Sequence, residues 1–140
     1  MRALVAVLFH AALACAAPVA AQEYPAKPIK VIVPFGAGGP TDAFARIIGE
    51  ELRKSLGQPI VFENRPGAGT IVGTTEAFRA APDGYTLLMV SATQTTTETL
   101  APDKPYKLLR DFMPIALLMG SDLVMLVHPS SPAKIGRAHV

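Results

Sequence analysis

Tryptophan is absent from the 140 residues, all aromatic residues together make up 6%, and there is one cysteine, Cys15. So few rings give little support to a base-stacking platform or an aromatic sugar cleft. A lone thiol excludes a disulfide framework and a cysteine-based metal site. Charge of one sign is also scarce: 13 basic against 11 acidic residues leave a formal net charge of +2, and no run of Lys or Arg exceeds two. This excludes an electrostatic nucleic-acid footprint. No apolar run reaches the roughly 20 residues of a membrane-spanning helix. What is plentiful is hydrophobic content, at 50%, with 13 Pro and 11 Gly that punctuate the chain without repeating. A disordered polar chain and a collagen-like chain are therefore excluded. The length fits at most one ordinary domain.

Much of the apolar excess lies at the start. Arg2 is the only Lys, Arg, Asp or Glu in the first 22 residues, residues 4–14 are largely apolar, and Ala16-Ala17-Pro18-Val19-Ala20-Ala21-Gln22 follows. A short positive start, an apolar core and a small-residue site predict a secretory signal peptide over 1–21, cleaved after Ala21. Acylation of Cys15 is the alternative, but Leu13 stands one place too late for a good lipobox. The cleaved product is expected in the periplasm.

Beyond it, strands and helices alternate. Ile29-Lys30-Val31-Ile32-Val33 reads as a buried strand, followed by the glycine-rich stretch Phe35-Gly36-Ala37-Gly38-Gly39-Pro40. A helix is predicted from Thr41, with Phe44, Ile47, Ile48, Leu52 and Leu56 on its inward face and Gly57 as its left-handed cap. The cycle repeats with a strand over 60–63, the loop Asn64-Arg65-Pro66-Gly67-Ala68-Gly69, and a helix over 70–80 with Ile71, Val72, Thr75 and Phe78 inward. Pro82-Asp83-Gly84 predicts a turn. Residues 85–90 are expected to form the central strand, because they are almost wholly apolar. The polar stretch 91–97 is read as a loop, and 113–118 and 123–127 as further strands. Strands separated by helices imply βαβ units and a parallel sheet.

Three loops then follow strand C-termini, the edge of an open α/β sheet where ligands bind. Two lead into helix N-termini, which offer free N–H groups and partial positive charge to an anion. The implied ligand is a small anion held by neutral donors, although the same glycines would equally serve ordinary βα turns. Other chemistries have less support. No phosphate-binding G-x-x-x-x-G-K-[ST] motif occurs. Gly67-Ala68-Gly69-Thr70-Ile71-Val72-Gly73 approaches a dinucleotide fingerprint, but Asn64-Arg65-Pro66 separates it from its strand. Ser91 lacks a nucleophile elbow, and its only plausible base is His128. Asp42 has no second metal ligand near it and is assigned to loop support.

Several linked motifs then occur in order. They are Tyr24-Pro25-x-Lys27-Pro28-Ile29, Val33-Pro34-Phe35-x-Ala37-Gly38-Gly39-Pro40-Thr41-Asp42, Leu56-Gly57-Gln58-Pro59, Glu63-Asn64-Arg65-Pro66-Gly67-Ala68-Gly69 and Ala81-Pro82-Asp83-Gly84-Tyr85-Thr86-Leu87. With Arg110-Asp111-Phe112-x-Pro114-Ile115 and Val127-His128-Pro129-Ser130, they resemble the extracytoplasmic receptors of tripartite tricarboxylate transporters, the Bug family of periplasmic solute-binding proteins, from about Glu23 to Lys134.

The resemblance implies an α/β type II periplasmic-binding-protein fold, with ligand closed between two lobes. Here that fold is incomplete: mostly the first lobe, a βαβαβ parallel sheet over 22–120, with 121–134 as crossover and start of the second lobe. Residues 135–140 depart from the family pattern and are read as a non-native tail on a truncated chain. The resemblance places a ligand carboxylate on two loops: Phe35, Gly36, Ala37, Gly38, Gly39, Pro40, Thr41 and Asp42, and Ser91, Ala92, Thr93, Gln94 and Thr95. Gly69 joins them from the second loop. Gly36 stands where the family commonly has Pro, and the Thr-rich run from Thr93 to Thr97 where it often has Gly or Asn and a His. The implied partners are a small organic carboxylate and the membrane permease subunits of the transporter; no nucleic acid, cofactor, metal or catalysed reaction is implied. The other readings are an exported α/β hydrolase-like enzyme using Ser91, and a protein-interaction module. N-terminal sequencing of the exported product is expected to begin at Gln22; an intact Met1, or a lipid on Cys15, overturns that assignment.

Overall fold

The computed structural model describes residues 23–120 and Ser130. The expected signal peptide over 1–21, the strand expected over 123–127, His128 and the expected tail over 135–140 lie outside the described residues. The elements are β1 (Ile29–Val33), α1 (Pro40–Leu56), β2 (Ile60–Asn64), a 3-10 turn (Ala68–Thr70) running into α2 (Ile71–Arg79), β3 (Thr86–Leu88), α3 (Ala92–Leu100) and the short α4 (Leu108–Asp111). The strands form one parallel sheet in the order β2-β1-β3. Val31 lies opposite Phe62 on one side and Leu87 on the other. The α/β class and the parallel βαβαβ arrangement are as expected.

Among the described residues the strand at the centre is not the one expected. Within them β1 is paired on both sides, and β3, Thr86–Leu88, on one. Apolarity alone cannot decide this, because crossover helices cover both strands. The connections decide it: the chain leaves β1 for β2 on one side, then returns past β1 to β3 on the other. α1 accordingly packs on β1 and β2, and α2 on β1 and β3. Ile29, Val31, Ile32 and Val33 are all buried. Val31, Val33 and Ala45 form the core, with Phe35, Ile60, Phe62, Leu87 and Met89 packed around them.

On both long helices the most deeply buried positions are small residues, while the expected inward faces hold in part: Phe44, Ile48, Leu52, Leu56, Ile71 and Thr75 are half-buried. α1 buries Asp42, Ala45 and Gly49, while Ile47 is 65% exposed. α2 buries Gly73 and Thr74, while Val72 and Phe78 are exposed. Small residues win these faces because they let the helix approach the sheet closely. A Cβ on Gly49 would overlap the Phe62 ring, and one on Gly73 would stand 2.7 Å from the Arg65 carbonyl oxygen and 2.9 Å from Pro34 Cβ.

Local signals are honoured elsewhere. Gly57 caps α1 at φ 67°, and its N–H donates to the Arg53 carbonyl. In the 82–84 turn Gly84 has φ 82°, and the Tyr85 N–H donates to Asp83 Oδ1 at 3.0 Å. Residues 113–118 are not a strand: they are irregular, with Met113, Ile115 and Leu117 exposed. They have no ladder partner among the described residues, and without one the backbone N–H and C=O groups gain nothing from the extended form.

The two glycine contacts can be tested on stability. Gly73→Ala pushes a methyl into backbone that cannot yield, so denaturant unfolding should show a loss of roughly 1–3 kcal/mol. Gly36→Ala, where a Cβ meets nothing within 4 Å, should be close to neutral.

Candidate functional site

Because the strands are parallel, their C-terminal ends share one edge, and residues 34–39, 65–67 and 89–91 emerge there together. The ladder continues into two of these exits: the Arg65 N–H donates to the Val33 carbonyl at 2.9 Å and the Met89 N–H to the Ile32 carbonyl at 3.0 Å.

The first loop is held by a buried carboxylate. Gly38 sits at φ 77°, a left-handed conformation that favours glycine. Its N–H donates to Asp42 Oδ2 at 2.9 Å. The same oxygen accepts from Arg46 Nε at 3.0 Å, and Oδ1 accepts from Asn64 Nδ2 at 2.9 Å. Asn64 Nδ2 also donates to the Phe35 carbonyl at 3.2 Å, so the end of β2 grips the start of the loop. The Arg46 side chain first, then the Gly38 N–H and the Asn64 amide, hold the Asp42 carboxyl down at about 2. Loop support by Asp42 is thus what the structure shows. Arg46 and Asn64 are absent from the residues expected at the site. The i,i+4 spacing of Asp42 and Arg46 was a readable signal, whereas nothing local points from Asn64 to Asp42. Pro40 opens α1 without an N–H of its own, and the Thr41 and Asp42 N–H groups have no acceptor within the helix.

The second loop is conformationally costly. Gly67 has φ 134°, and Ala68, Gly69 and Thr70 follow at 46°, 60° and 80°. A β-branched residue in this region is strained by roughly 1–3 kcal/mol, and Thr70 is 4% exposed with no hydrogen-bond partner on Oγ1.

The third stretch corrects the expected loop. Residues 91–97 are the cap and body of α3, because Ser91-x-x-Gln94 forms a capping box, a signal present in the sequence. Gln94 Oε1 accepts from the Ser91 N–H at 2.9 Å, and its Nε2 donates to the Met89 carbonyl at 3.1 Å. Gln94, 1% exposed, is therefore committed to the scaffold and does not face a ligand. Ser91 Oγ accepts from the Thr93 N–H and donates to Gln94, without a base beside it among the described residues. Thr95 Oγ1 returns to the Ala92 carbonyl at 2.7 Å. Thr97 Oγ1 donates to the Gly69 carbonyl at 3.0 Å and ties the third stretch to the second loop. The Gly69 carbonyl is thus bonded within the scaffold. The Thr41 and Thr93 hydroxyls make no hydrogen bond among the described residues, and Ala92 supplies the first N–H of α3. Among the described residues no group of His, Cys, Asp or Glu could hold a metal ion, and no helix is long and apolar enough to cross a membrane.

This arrangement has close counterparts. The family model for the tripartite tricarboxylate transporter family receptor matches residues 44–139. BugT of Bordetella pertussis is 44% identical over 133 residues, which span 92% of this chain and 41% of that protein. MatC of Rhodopseudomonas palustris, solved with bound malate, superposes with a TM-score of 0.63 at 45% identity, covering 68% of this chain and 33% of that one. A structure described as a periplasmic transporter gives a TM-score of 0.56 at 46% identity, covering 59% of this chain and 28% of that one. The chain thus spans well under half the length of these relatives.

The Asp42 network has a pH signature. A carboxyl held at about 2 against an ordinary 3.8 contributes stability that is fully present above the ordinary value and is lost as pH falls through the lower one. Asp111, held at about 2 chiefly by Arg110 and then by the Lys107 N–H, acts in the same window. Urea unfolding across a pH series should therefore find Asp42→Asn less stable than the parent at neutral pH, with the gap closing between about pH 4 and 2.

Proposed function

The chain belongs to the tripartite tricarboxylate transporter receptor family, whose members are solute-binding receptors and not enzymes, and from that premise we propose that its sheet edge receives a small organic carboxylate for delivery to a membrane permease. The supporting observation is the convergence of three βα junctions on one edge, with their side chains bonded internally and backbone N–H groups left at the starts of α1 and α3. Such donors match a carboxylate. Hydrogen bonds to a charged group contribute roughly 1.5–3 kcal/mol each, so a few suffice in a cleft closed from water. Malate in MatC supports this ligand class.

In this reading residues 22–120 form the first lobe, 121–134 begin the crossover to a second lobe, and a signal peptide over 1–21 directs the receptor to the periplasm. The ligand lies over residues 35–42 and 91–95. Gly38 contributes through its conformation, since its N–H is bonded to Asp42. Gln94 contributes by holding the third junction.

Isothermal titration calorimetry of the full-length receptor against malate and other di- and tricarboxylates tests the proposal. A Cβ at Gly38 meets no protein atom within 4 Å, so Gly38→Val acts through its positive φ and through the space a ligand would occupy. It is expected to weaken binding by tenfold or more, on the order of 1.4 kcal/mol. Thr93→Ala should cost less. Unchanged affinity in a folded Gly38→Val receptor would move the site elsewhere, and a parent that binds no carboxylate would refute the function.

A further inference from the structure

We propose that Arg46 is a positioning residue whose charge cancels that of Asp42 and so makes the edge receptive to an anion; this rests on the carboxylate reading above. The Asp42 side chain is 3% exposed and lies in the first turn of α1. A carboxylate there opposes the positive end of the helix, and uncompensated it would repel a second carboxylate arriving beside it. Arg46, one turn further on, is the only cation paired with Asp42 among the described residues. Its Nη2 also donates to Asn64 Oδ1 at 3.3 Å, and its guanidinium carbon lies 5.2 Å from the centre of the Phe62 ring. Three contacts therefore fix one planar group against Asp42.

Among the described residues, Arg46 serves no other carboxylate. Arg65, by contrast, is shared between Glu63 and Glu76, while Glu50 is paired with Arg53 and Glu51 with Lys54. The positive charge of Arg46 is thus matched one-to-one with Asp42. The pair is neutral, and Asp42 can order the Gly38 loop without imposing a negative field on the site. Removing Arg46 leaves the loop contacts to Gly38 and Asn64 in place but exposes the edge to a buried negative charge. The penalty then grows with the charge of the ligand.

Calorimetry on the full-length receptor with malate as a dianion and lactate as a monoanion, at low and high salt, separates this role from a packing role. Arg46→Gln is expected to weaken malate binding on the order of tenfold at low salt and lactate binding less, with the deficit shrinking as salt screens it. Arg46→Lys keeps the charge without the planar fork and should stay within about threefold of the parent. Parental affinity in Arg46→Gln, or equal losses in both variants at every salt concentration, overturns the proposal. If the parent binds no carboxylate, the functional reading fails, and an NMR titration of the Asp42 carboxyl still decides the role of Arg46. Its midpoint should rise in Arg46→Gln and hold in Arg46→Lys; an unmoved midpoint in Arg46→Gln overturns the counter-charge.

Discussion

Every ladder pairing in the described sheet involves β1. A parallel strand paired on both edges needs two crossovers, and each crossover lays a helix on the sheet. α1 and α2 follow from that requirement, as does the burial of Val31 and Val33 beneath them. Parallelism also sends every strand exit to the same edge. The convergence of three junctions there is a consequence of the pairing of β1, and any ligand chemistry at that edge inherits it.

Convergence alone would leave three loops side by side without fixed spacing, and specific contacts lock them together. Asn64, at the end of β2, holds the Phe35 carbonyl. Gly73 lets α2 press against Pro34, the first residue of the first loop. Thr97 of α3 holds the Gly69 carbonyl of the second loop. Each contact joins one junction to another by hydrogen bonds or direct packing. The strained run from Ala68 to Thr70 sits within this lattice of contacts, which over-determines its conformation.

The polar side chains of the edge are mostly bonded to their own scaffold. Asp42 satisfies the Gly38 N–H, Gln94 bridges Ser91 and Met89, and Thr95 and Thr97 return to carbonyl groups. In the proposed function, recognition rests on backbone N–H groups at helix starts. The one formal charge buried at this edge, Asp42, requires its own counter-ion, and the Asp42–Arg46–Asn64 network supplies it in a planar arrangement.

Much of this architecture was legible in the sequence, because the signals were local. The β-branched run over 29–33, the cap at Gly57, the turn at Gly84, and the order of strands and helices depend on neighbours a few residues apart. The glycine-rich stretches marked two of the three exits for the same reason. The Ser91–Gln94 capping box is equally local, but the run of threonines beside it resembles a loop by composition. Other features depended on partners far along the chain. Whether β1 or β3 is central follows from which side each crossover takes. Which face of α1 turns inward follows from how closely Gly49 can approach Phe62, and that approach overrules the larger apolar residue Ile47. Residues 113–118 have the composition of a strand but no partner among the described residues. Asn64 meets Asp42 across 22 positions of sequence. The sequence by itself determined the elements, their order and the loops at their ends, since propensity, capping and turn chemistry act within a few residues. Only the tertiary structure decided strand order, helix facing and the Asp42–Arg46–Asn64 network, since pairing, close packing and the matching of a buried charge depend on residues brought together from different parts of the chain.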